Sequence, residues 1–474
     1  MSLFELSKEF DKNKIFLINL SDIDKRLDPY YHKEEFKIIE EKLSKVDYTF
    51  FNKATIKIFS GITPKSKGNA YTTQNNGIAF VRSGNFSQDN IINFDKLNYI
   101  KNDIHNKVMK SSKLQKGDLL IAIVGATIGK VGIYNYDIEA NINQAICAVR
   151  FKDDFLSNFV HIYLLTPLGQ KIIDKLKRPV ARANINLEEI GSIPLPIIDV
   201  TKQESIIKFY YSKIKVKQQK EKQAKELLES IDTYLLDELG ITLPEIDNSL
   251  EKRIFEVKLS DISGIRFDPD YKSKIDNLTN LTWKYPLSDL KGLMIGSAQY
   301  GANETAQEYK TGNVRYIRIT DIDEIGTLKE YSMKTANNIQ DQYTLNHNDI
   351  LFARSGSVGQ CYIHKDIKNK AIFAGYLIRF ILDDKKINLD YFFYYCHSSI
   401  YKYWVSAIER PAVQSNINSE EYKSLKVPIP PIKKQNEIAE HIQNTRDKAK
   451  QLKLEAIQDL ENAKTEVEKM ILGS

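Results

Sequence analysis

One stretch of the chain has the residue types of a phosphate-binding loop. The segment GATIGKVGIY, residues 125–134, carries glycines followed by a lysine, and backbone amides of a glycine-rich loop can cradle nucleotide phosphates. A Walker A loop needs a longer spacing between its glycines and a Ser or Thr after the lysine. Here three residues separate Gly125 from Gly129, and Val131 follows Lys130. The segment is either a degenerate nucleotide site or a tight turn that carries a lysine.

The same stretch occurs a second time without the lysine. GDLLIAIVGATIGKVGIY (117–134) matches NDILFARSGSVGQCYI (348–363), and Gln360 stands at the position of Lys130. The residues common to both copies are glycines, which suit a tight turn between two strands. We therefore interpret the segment as a turn, in which Lys130 can still contact an anion.

Further segments recur in the same order, which is the signature of an internal repeat. The chain therefore contains one fold twice, joined near Pro244. The recurring pairs are FLINLSDIDKRLDPYY (16–31) with FEVKLSDISGIRFDPDY (255–271), IAFVRSGNF (78–86) with VRYIRITDI (314–322), and RPVARANINLEEIGSIPLPIIDVTKQESI (178–206) with RPAVQSNINSEEYKSLKVPIPPIKKQNEI (410–438).

Each copy ends in a long helical pattern. Residues 201–239 contain neither Gly nor Pro, and Thr201 with Glu204 forms a T-x-x-E capping box that predicts the helix start. Gly240 predicts its end. Apolar residues at heptad spacing here and in residues 434–472 predict two antiparallel helices, each about 55 Å long. Single solvated helices are the alternative.

The remaining segments predict an α+β fold. Residues 1–200 and 244–430 contain short β-branched and aromatic runs and fewer helical ones, whereas residues 201–243 and 431–474 hold the long helices. The economical arrangement is two repeated globes, related by a pseudo-two-fold and separated by the helices as a coiled coil. Helix candidates inside the globes are residues 94–109 and 390–409.

Composition is that of a globular protein in a reducing compartment. The chain has 474 residues, of which 42% are hydrophobic and 27% charged, and it carries no apolar run long enough to cross a bilayer and no apolar signal core. Its cysteines, Cys147, Cys361 and Cys396, are too scattered for a metal site, so we expect a cytoplasmic protein with no membrane partner. The net charge of +6 permits an acidic partner such as DNA without requiring one.

The copies of the IAFVRSGNF segment offer arginines beside aromatic residues on predicted strands. Such an arginine suits contact with phosphate or guanine. It equally suits a structural ion pair, since Asp321 lies close to Arg318 in sequence. The residues that alternation places on one face are Phe80, Arg82 and Gly84 in the first copy, and Tyr316, Arg318 and Thr320 in the second.

Two long polar loops differ most between the copies. Residues 60–76 and 295–313 are Gly-rich, and long loops on a rigid frame commonly carry specificity, although a merely solvated loop is the alternative. Their predicted DNA-contacting residues are Lys65, Ser66, Lys67 and Tyr71 in the first, and Gln299, Tyr300, Asn303 and Lys310 in the second. The other predicted DNA contacts are Arg82, Ser83, Asn85, Lys130, Arg178, Arg182, Arg315, Arg318, Thr320, Arg354, Arg410 and Gln414.

The repeated N-I-N-x-E-E has a structural interpretation. Asn186 and Asn418 precede acidic residues, as an N-cap does before the first turn of a helix. Motifs for catalysis are missing from the sequence: there is no G-x-G-x-x-G after a strand, no HExxH and no CxxC, and the (D/N/S)PP(Y/F) motif of amino-methyltransferases is absent. No catalytic residue and no metal site is predicted.

In this order, the motifs resemble those of the specificity subunits of type I restriction-modification enzymes. The resemblance covers the whole chain: IPLPIIDVTKQESI and VPIPPIKKQNEI resemble the family's P-x-P junctions, and Gly61-x-Thr63-Pro64 and GDLL…G…GK resemble its target recognition domains. Both junctions carry KQ where the family usually has EQ. The resemblance implies two target recognition domains, at residues 1–200 and 244–430, each followed by a long helix.

The resemblance also implies a non-catalytic chain that reads a split, asymmetric double-stranded DNA site. It implies a complex with two methyltransferase subunits and optionally two nuclease-translocase subunits. The chain itself would bind no cofactor, and S-adenosylmethionine, ATP and Mg²⁺ would bind those partners. Two alternatives remain open: a protein-bridging scaffold with no DNA role, and a fused methyltransferase or nuclease.

Overall fold

Two compact units make up the chain in the computed structural model. The first unit contains residues 1–221 and 454–474, and the second contains residues 222–453. The junction predicted near Pro244 lies outside the residues that the structure describes. Those are residues 11, 14–20, 23, 26–64, 69–86, 92, 97–178, 183–243, 256–258, 266, 268–409 and 415–473.

The first unit is a mixed α and β structure followed by a long helix. Its helices are α1 (Lys37–Leu43), α2 (Phe51–Ala54), α3 (Ser157–Leu165), α4 (Pro167–Leu176), α5 (Leu187–Gly191) and the start of α6 (Val200–Leu239). Its strands are β1 (Tyr48–Phe50), β2 (Thr55–Ser60), β3 (Tyr71–Thr72), β4 (Ile78–Val81), β5 (Asn98–Ile100), β6 (Asp118–Ala122), β7 (Val131–Tyr134), β8 (Ala140–Ile142), β9 (Ile146–Phe151) and β10 (Pro194–Pro196).

The second unit repeats this order of elements. Its helices are α7 (Pro269–Thr279), α8 (Leu290–Leu293), α9 (Leu389–Tyr395), α10 (Ser399–Ile408), α11 (Ser419–Lys423) and the start of α12 (Ile432–Leu472). Its strands are β11 (Leu287–Asp289), β12 (Gln299–Tyr300), β13 (Ala306–Glu308), β14 (Arg315–Ile317), β15 (Lys334–Ala336), β16 (Ile350–Ala353), β17 (Cys361–Ile363), β18 (Ala371–Phe373), β19 (Leu377–Phe380) and β20 (Lys426–Pro428).

The central sheets of the two units correspond strand by strand, whereas the smaller sheet of the first unit, β3-β5-β4-β8, is divided in the second into β14-β18 and β13-β15. A four-stranded antiparallel sheet has the order β2-β9-β6-β7 in the first unit and β12-β19-β16-β17 in the second. Beside it, β4 pairs in parallel with β8, and β14 pairs in parallel with β18. The central strands β6 and β16 are buried along their whole length, as expected for strands with apolar neighbours on both faces. The predicted α+β repeat is therefore confirmed.

The long helices occur where the heptad pattern predicts them, but the capping prediction is wrong. Helix α6 begins at Val200, and its first turn is capped by Asp199, whose Oδ1 accepts the Lys202 amide at 2.9 Å. Thr201 lies inside the helix. At the other end, Gly240 has a φ of 64° and the Ile241 amide bonds the Leu236 carbonyl at 2.9 Å, which is a Schellman stop.

Within each unit, the two long helices pack in antiparallel fashion. In the second unit Lys434 of α12 pairs with Glu238 of α6 at 2.8 Å, whereas the later His441 stacks on the earlier Tyr234 at 3.9 Å between ring centroids. In the first unit Lys220 Nζ lies 2.9 Å from a carboxylate oxygen of Glu455. Alanines at heptad spacing on α12 are buried: Ala449, Ala456 and Ala463.

Two local predictions inside the globes need correction. Residues 94–109, predicted as one helix, instead contain strand β5 and a short helical turn at Ile104–Val108, because β5 pairs with both β3 and β4. Residues 390–409 are helical, but as α9 and α10, since Ser398 caps a new helix by accepting the Tyr401 amide at 3.3 Å.

The repeated R-x-D-P-x-Y motif joins elements within each unit. The Arg26 guanidinium bonds the carbonyls of Leu176 and Lys177, at the end of α4, at 2.9 and 3.1 Å. Arg266 does the same at the end of α10, bonding the carbonyls of Ile408 and Glu409 at 2.6 and 3.1 Å. Because these carbonyls are the last of their helices, the arginine both satisfies and neutralises the helix end.

The N-I-N-x-E-E motif forms the predicted caps. Asn186 Oδ1 accepts the Glu189 amide at 2.7 Å, and the Glu189 carboxylate accepts the Asn186 amide at 2.8 Å. Asn418 and Glu421 make the same reciprocal pair at 2.9 and 2.8 Å. Both copies are capping boxes, so the structural interpretation of this motif is confirmed.

Candidate nucleic-acid interface

The GATIGK segment is the turn of an antiparallel hairpin. Strands β6 and β7 flank it in register, with Ile121 opposite Val131, so no helix N-terminus follows the glycines as a phosphate loop requires. The glycines meet the needs of the turn, since Gly125 and Gly129 have φ angles of 77° and 94°. Of the two interpretations, the tight turn is the one that the structure shows.

The residue after this turn has the same structural role in both units. Lys130 Nζ donates to the Phe86 carbonyl at 3.2 Å. Gln360 Nε2 donates to the carbonyls of Ile322 and Asp323 at 3.0 and 2.6 Å. Phe86 and Ile322 are equivalent residues of the repeat. A lysine and a glutamine therefore both tie the turn to the segment that follows β4 or β14.

The strands that precede Arg82 and Arg318 are shorter than the sequence pattern predicts. Strand β4 ends at Val81 and β14 ends at Ile317. Gly84 and Thr320 then fall in single 3₁₀ turns, where the period of two is lost. The prediction that these two residues share a strand face with the arginines is therefore wrong.

Arg318 is held in an ion pair. Its Nε and Nη2 lie 3.0 and 2.6 Å from the two carboxylate oxygens of Asp321, and Nη2 also bonds the Ser332 carbonyl at 3.1 Å. Asp321 is fully buried. Its hydrogen bonds raise the pKa of Arg318 above the ordinary value. This is the arrangement expected for the structural alternative, since the fork that would contact DNA already binds a carboxylate.

Arg82 has a neutral partner at the same position. Asn85 replaces Asp321, is buried, and accepts the Arg82 amide at 2.8 Å. The Arg82 Nη2 donates to Asn98 Oδ1 at 3.3 Å, and its Nε is buried without a hydrogen-bond partner among the described residues. Arg82 makes no ion pair with any carboxylate in the described ranges.

Arg354 lies on an aromatic ring. Its guanidinium carbon is 4.9 Å from the centroid of the Tyr300 ring. The Tyr300 hydroxyl lies 3.3 Å from Ser419 Oγ and accepts the Ser419 amide at 3.2 Å. The structure therefore brings together two predicted DNA contacts that are far apart in sequence.

Other predicted contacts are held by the protein itself. Arg178 Nε lies 3.0 Å from Glu189 Oε1, the carboxylate of the capping box. Arg315 Nη2 bonds the Lys329 carbonyl at 2.8 Å. Gln299 donates to the Gln342 carbonyl at 3.2 Å and accepts from Arg379. These side chains would have to give up or share hydrogen bonds within the protein in order to contact a ligand.

The remaining predicted contacts divide by exposure. Tyr71 and Ser83 are half-buried, and the Tyr71 hydroxyl donates to the Pro64 carbonyl at 3.3 Å. The exposed ones are Asn303, Lys310 and Thr320. The predicted contacts outside the described residues are Lys65, Ser66, Lys67, Arg182, Arg410 and Gln414.

The described residues show no arrangement for metal chemistry. No group of three or more His, Cys, Asp or Glu side chains in the described ranges could hold a metal ion. Within the same ranges, no helix combines the length and the hydropathy needed to cross a bilayer.

Comparison with known proteins finds relatives of part of the chain. Residues 290–462 match the model of the type I restriction modification DNA specificity domain. This segment, a little over a third of the chain, is similar to type I DNA specificity domains. A 133-residue segment is 30% identical to the type I restriction enzyme EcoBI specificity subunit of Escherichia coli. That segment covers 28% of this chain and 27% of the relative.

One solved structure shares the fold of this chain over most of its length. A chain from a structure of the assembly and conformational transition of the type I R-M system covers 90% of this chain and 96% of its own, with a TM-score of 0.51 and 11% identity. The S subunit from M. genitalium has the same coverages, a TM-score of 0.38 and 13% identity. The first likeness extends the fold beyond the segment that the family model matches.

Proposed function

We propose that this chain reads double-stranded DNA at a split, asymmetric site, with one unit reading each half. The observation that carries the proposal is the repeat itself: one frame occurs twice, with matching hairpins, caps and strand registers. Exposed residues at equivalent positions differ between the copies, as Gly84 and Thr320 do. Two modules of one shape and unlike surface chemistry suit two unlike DNA sequences.

In this proposal the chain supplies recognition and its partners supply catalysis. Two methyltransferase subunits would bring S-adenosylmethionine, and two nuclease-translocase subunits, where present, would bring ATP and Mg²⁺. The GATIGK segment supports this division of labour. It resembles a phosphate loop in sequence, but it forms a hairpin turn that Lys130 holds by a hydrogen bond.

The test is selection of DNA from a random double-stranded library. The chain is purified from its own cells with whatever subunits it carries, and selection is repeated at several salt concentrations, because phosphate contacts weaken as salt rises. We expect one motif with two outer halves and a fixed unread gap. A selection without protein is the control. A protein-bridging scaffold predicts no enriched motif at any salt concentration.

The isolated chain separates the remaining alternative. A fused methyltransferase would bind S-adenosylmethionine saturably by calorimetry, whereas a pure recognition subunit would not. Saturable binding by the isolated chain would contradict the proposed division of labour.

A further inference from the structure

The two units can be aligned residue by residue where the central hairpin leaves its sheet. In the first unit the Ile123 amide bonds the Ala145 carbonyl at 2.9 Å. In the second unit the Arg354 amide bonds the Tyr376 carbonyl at the same distance, 2.9 Å. Arg354 therefore takes the place of Ile123, and Tyr376 takes the place of Ala145.

The neighbouring strand shows a third exchange. Ser60 of β2 pairs with Cys147, and Tyr300 of β12 pairs with Ile378. Cys147 and Ile378 are equivalent, because each lies two residues after the position that Ala145 and Tyr376 occupy. Tyr300 therefore takes the place of Ser60.

These exchanges change the surface at one place in the fold. Ile123 and Ala145 are buried in the first unit, at 5% and 7% exposure. Tyr376 and Tyr300 are exposed in the second, at 61% and 38%. Large aromatic surface left in water is costly unless a partner covers it. We call Tyr300, Arg354 and Tyr376 the aromatic-arginine cluster.

The guanidinium of Arg354 is held in place by an aromatic ring but makes no hydrogen bond to the described residues. It lies on the Tyr300 ring, whose hydroxyl is tied to Ser419, so the arginine is ordered before a ligand arrives. It donates no hydrogen bond to any described residue, and its Nε is buried without a partner among them. Arg318 and Arg379, by contrast, bond Asp321 and Asp349.

We propose that Arg354 reads a guanine in the half-site of the second unit, an inference that rests on the proposed function. An arginine fork fits the O6 and N7 acceptors of guanine in the major groove. The two Nη groups, which have no hydrogen-bond partner among the described residues, form the fork, and stacking on Tyr300 reduces the conformational entropy lost on binding. The Tyr300 ring beside the guanidinium suits a base better than a fully hydrated phosphate. The first unit, with Ile123 in this place, lacks the contact.

The test repeats the DNA selection with Arg354→Ala and Arg354→Lys in the full chain and its natural complex. We expect both variants to lose discrimination at one guanine position, by about 5- to 150-fold, and to keep the other half-site unchanged. Lysine cannot make the bidentate contact, so it should not rescue the preference. Thermal unfolding of both variants identifies any loss of folding, and Arg354→Lys keeps the charge where Arg354→Ala fails to fold.

Arg446→Ala is the matched control. Arg446 also stacks on aromatic rings in the second unit, 5.4 and 5.5 Å from those of Phe393 and Tyr394, but it donates to the Ile325 carbonyl at 3.0 Å. Its variant should select the wild-type motif.

The possible outcomes distinguish a failure of this inference from a failure of the proposed function. If Arg354→Ala weakened the binding of all DNA sequences equally, or if Arg354→Lys kept the full guanine preference, the contact would be with a phosphate. Either result would overturn the guanine assignment. An unchanged motif in Arg354→Ala would also overturn it, while leaving the proposed function intact. A wild-type chain that selects no motif would contradict the proposed function itself.

Discussion

Arg82 in the first unit and Arg318 in the second follow equivalent strands, yet their side chains meet different partners. Arg318 grips a fully buried carboxylate, Asp321. Among the described residues the Arg82 side chain bonds the amide oxygen of Asn98, and Asn85, at the position of Asp321, accepts the Arg82 backbone amide. At the equivalent position of the 3₁₀ turn, the second unit has a buried carboxylate and the first unit a buried amide. Both units have the same 3₁₀ turn, but the side chain that follows the arginine by three residues differs.

The hairpin turn shows the same separation of frame from chemistry. Lys130 and Gln360 differ in charge but bond equivalent carbonyls. Because the acceptors at this turn are backbone carbonyls, any side chain long enough to place an N–H group beside them can make the hydrogen bond. Sequence difference between the units is therefore evidence about recognition only where the frame does not already use the side chain.

The largest expected effect separates the two arginines. Arg318→Ala leaves the Asp321 carboxylate buried and unpaired, so we expect a loss of about 3–5 kcal/mol in unfolding free energy. Arg82→Ala removes a bond to a neutral amide and should cost about 1 kcal/mol. Hydrogen exchange followed by mass spectrometry measures both, since it resolves each unit. Adding Asp321→Asn to Arg318→Ala should restore most of the loss, and equal costs for the two single variants would contradict this contrast.

A smaller effect, common to both units, should appear on acidification. Burial lowers the pKa of His161 and of His397 to about 4, against about 6.5 for an unfolded histidine. The unfolded chain therefore binds more protons below pH 6.5, and stability falls as the pH drops toward 4. We expect a loss of about 1–2 kcal/mol per histidine between pH 7 and pH 5.

Urea unfolding at the two pH values measures this loss. Both tryptophans, Trp283 and Trp404, lie in the second unit, so their fluorescence follows that unit. His397→Leu should reduce the pH dependence of the fluorescence transition, whereas His161→Leu should leave it unchanged. A pH dependence that survives His397→Leu in full would refute the assignment.

The smallest effect concerns the hairpin turn. Lys130→Gln should be milder than Lys130→Ala by about 1 kcal/mol in unfolding free energy, because glutamine makes the equivalent bond in the second unit. Neither change should create or remove ATP binding by calorimetry. Saturable ATP binding that disappears in Lys130→Ala would restore the nucleotide interpretation.

The repeat, the long helices and the asparagine caps were predictable because their signals are local or periodic. The N-terminus of α6 was not, since Thr201 and Asp199 offer competing caps and the fold uses Asp199. Strand β5 was mistaken for helix because its state depends on pairing with β3 and β4, and pairing partners distant in sequence leave no local signal.

The predicted site was less accessible to sequence reasoning for a related reason. Arg318 and Arg354 have the same residue type and similar surroundings in sequence, but one is paired with a carboxylate and the other is stacked and unbonded among the described residues. The repeat aligns Arg354 with Ile123 of the first unit, but the stacking of Arg354 on Tyr300 appears only in the structure. The difference between a committed and an available arginine is a tertiary property.

The most direct test of the account is to change one unit and read both halves of the DNA motif. Residues 62–69 are replaced by another polar sequence while Gly61 is kept, because a Cβ there would come 1.6 Å from the Ile142 carbonyl oxygen. The matched variant replaces residues 303–312 in the second unit. DNA selection should show the first variant altering one half of the motif and the second variant altering the other half. Both halves changing together in either variant would contradict the claim that each unit reads its own half.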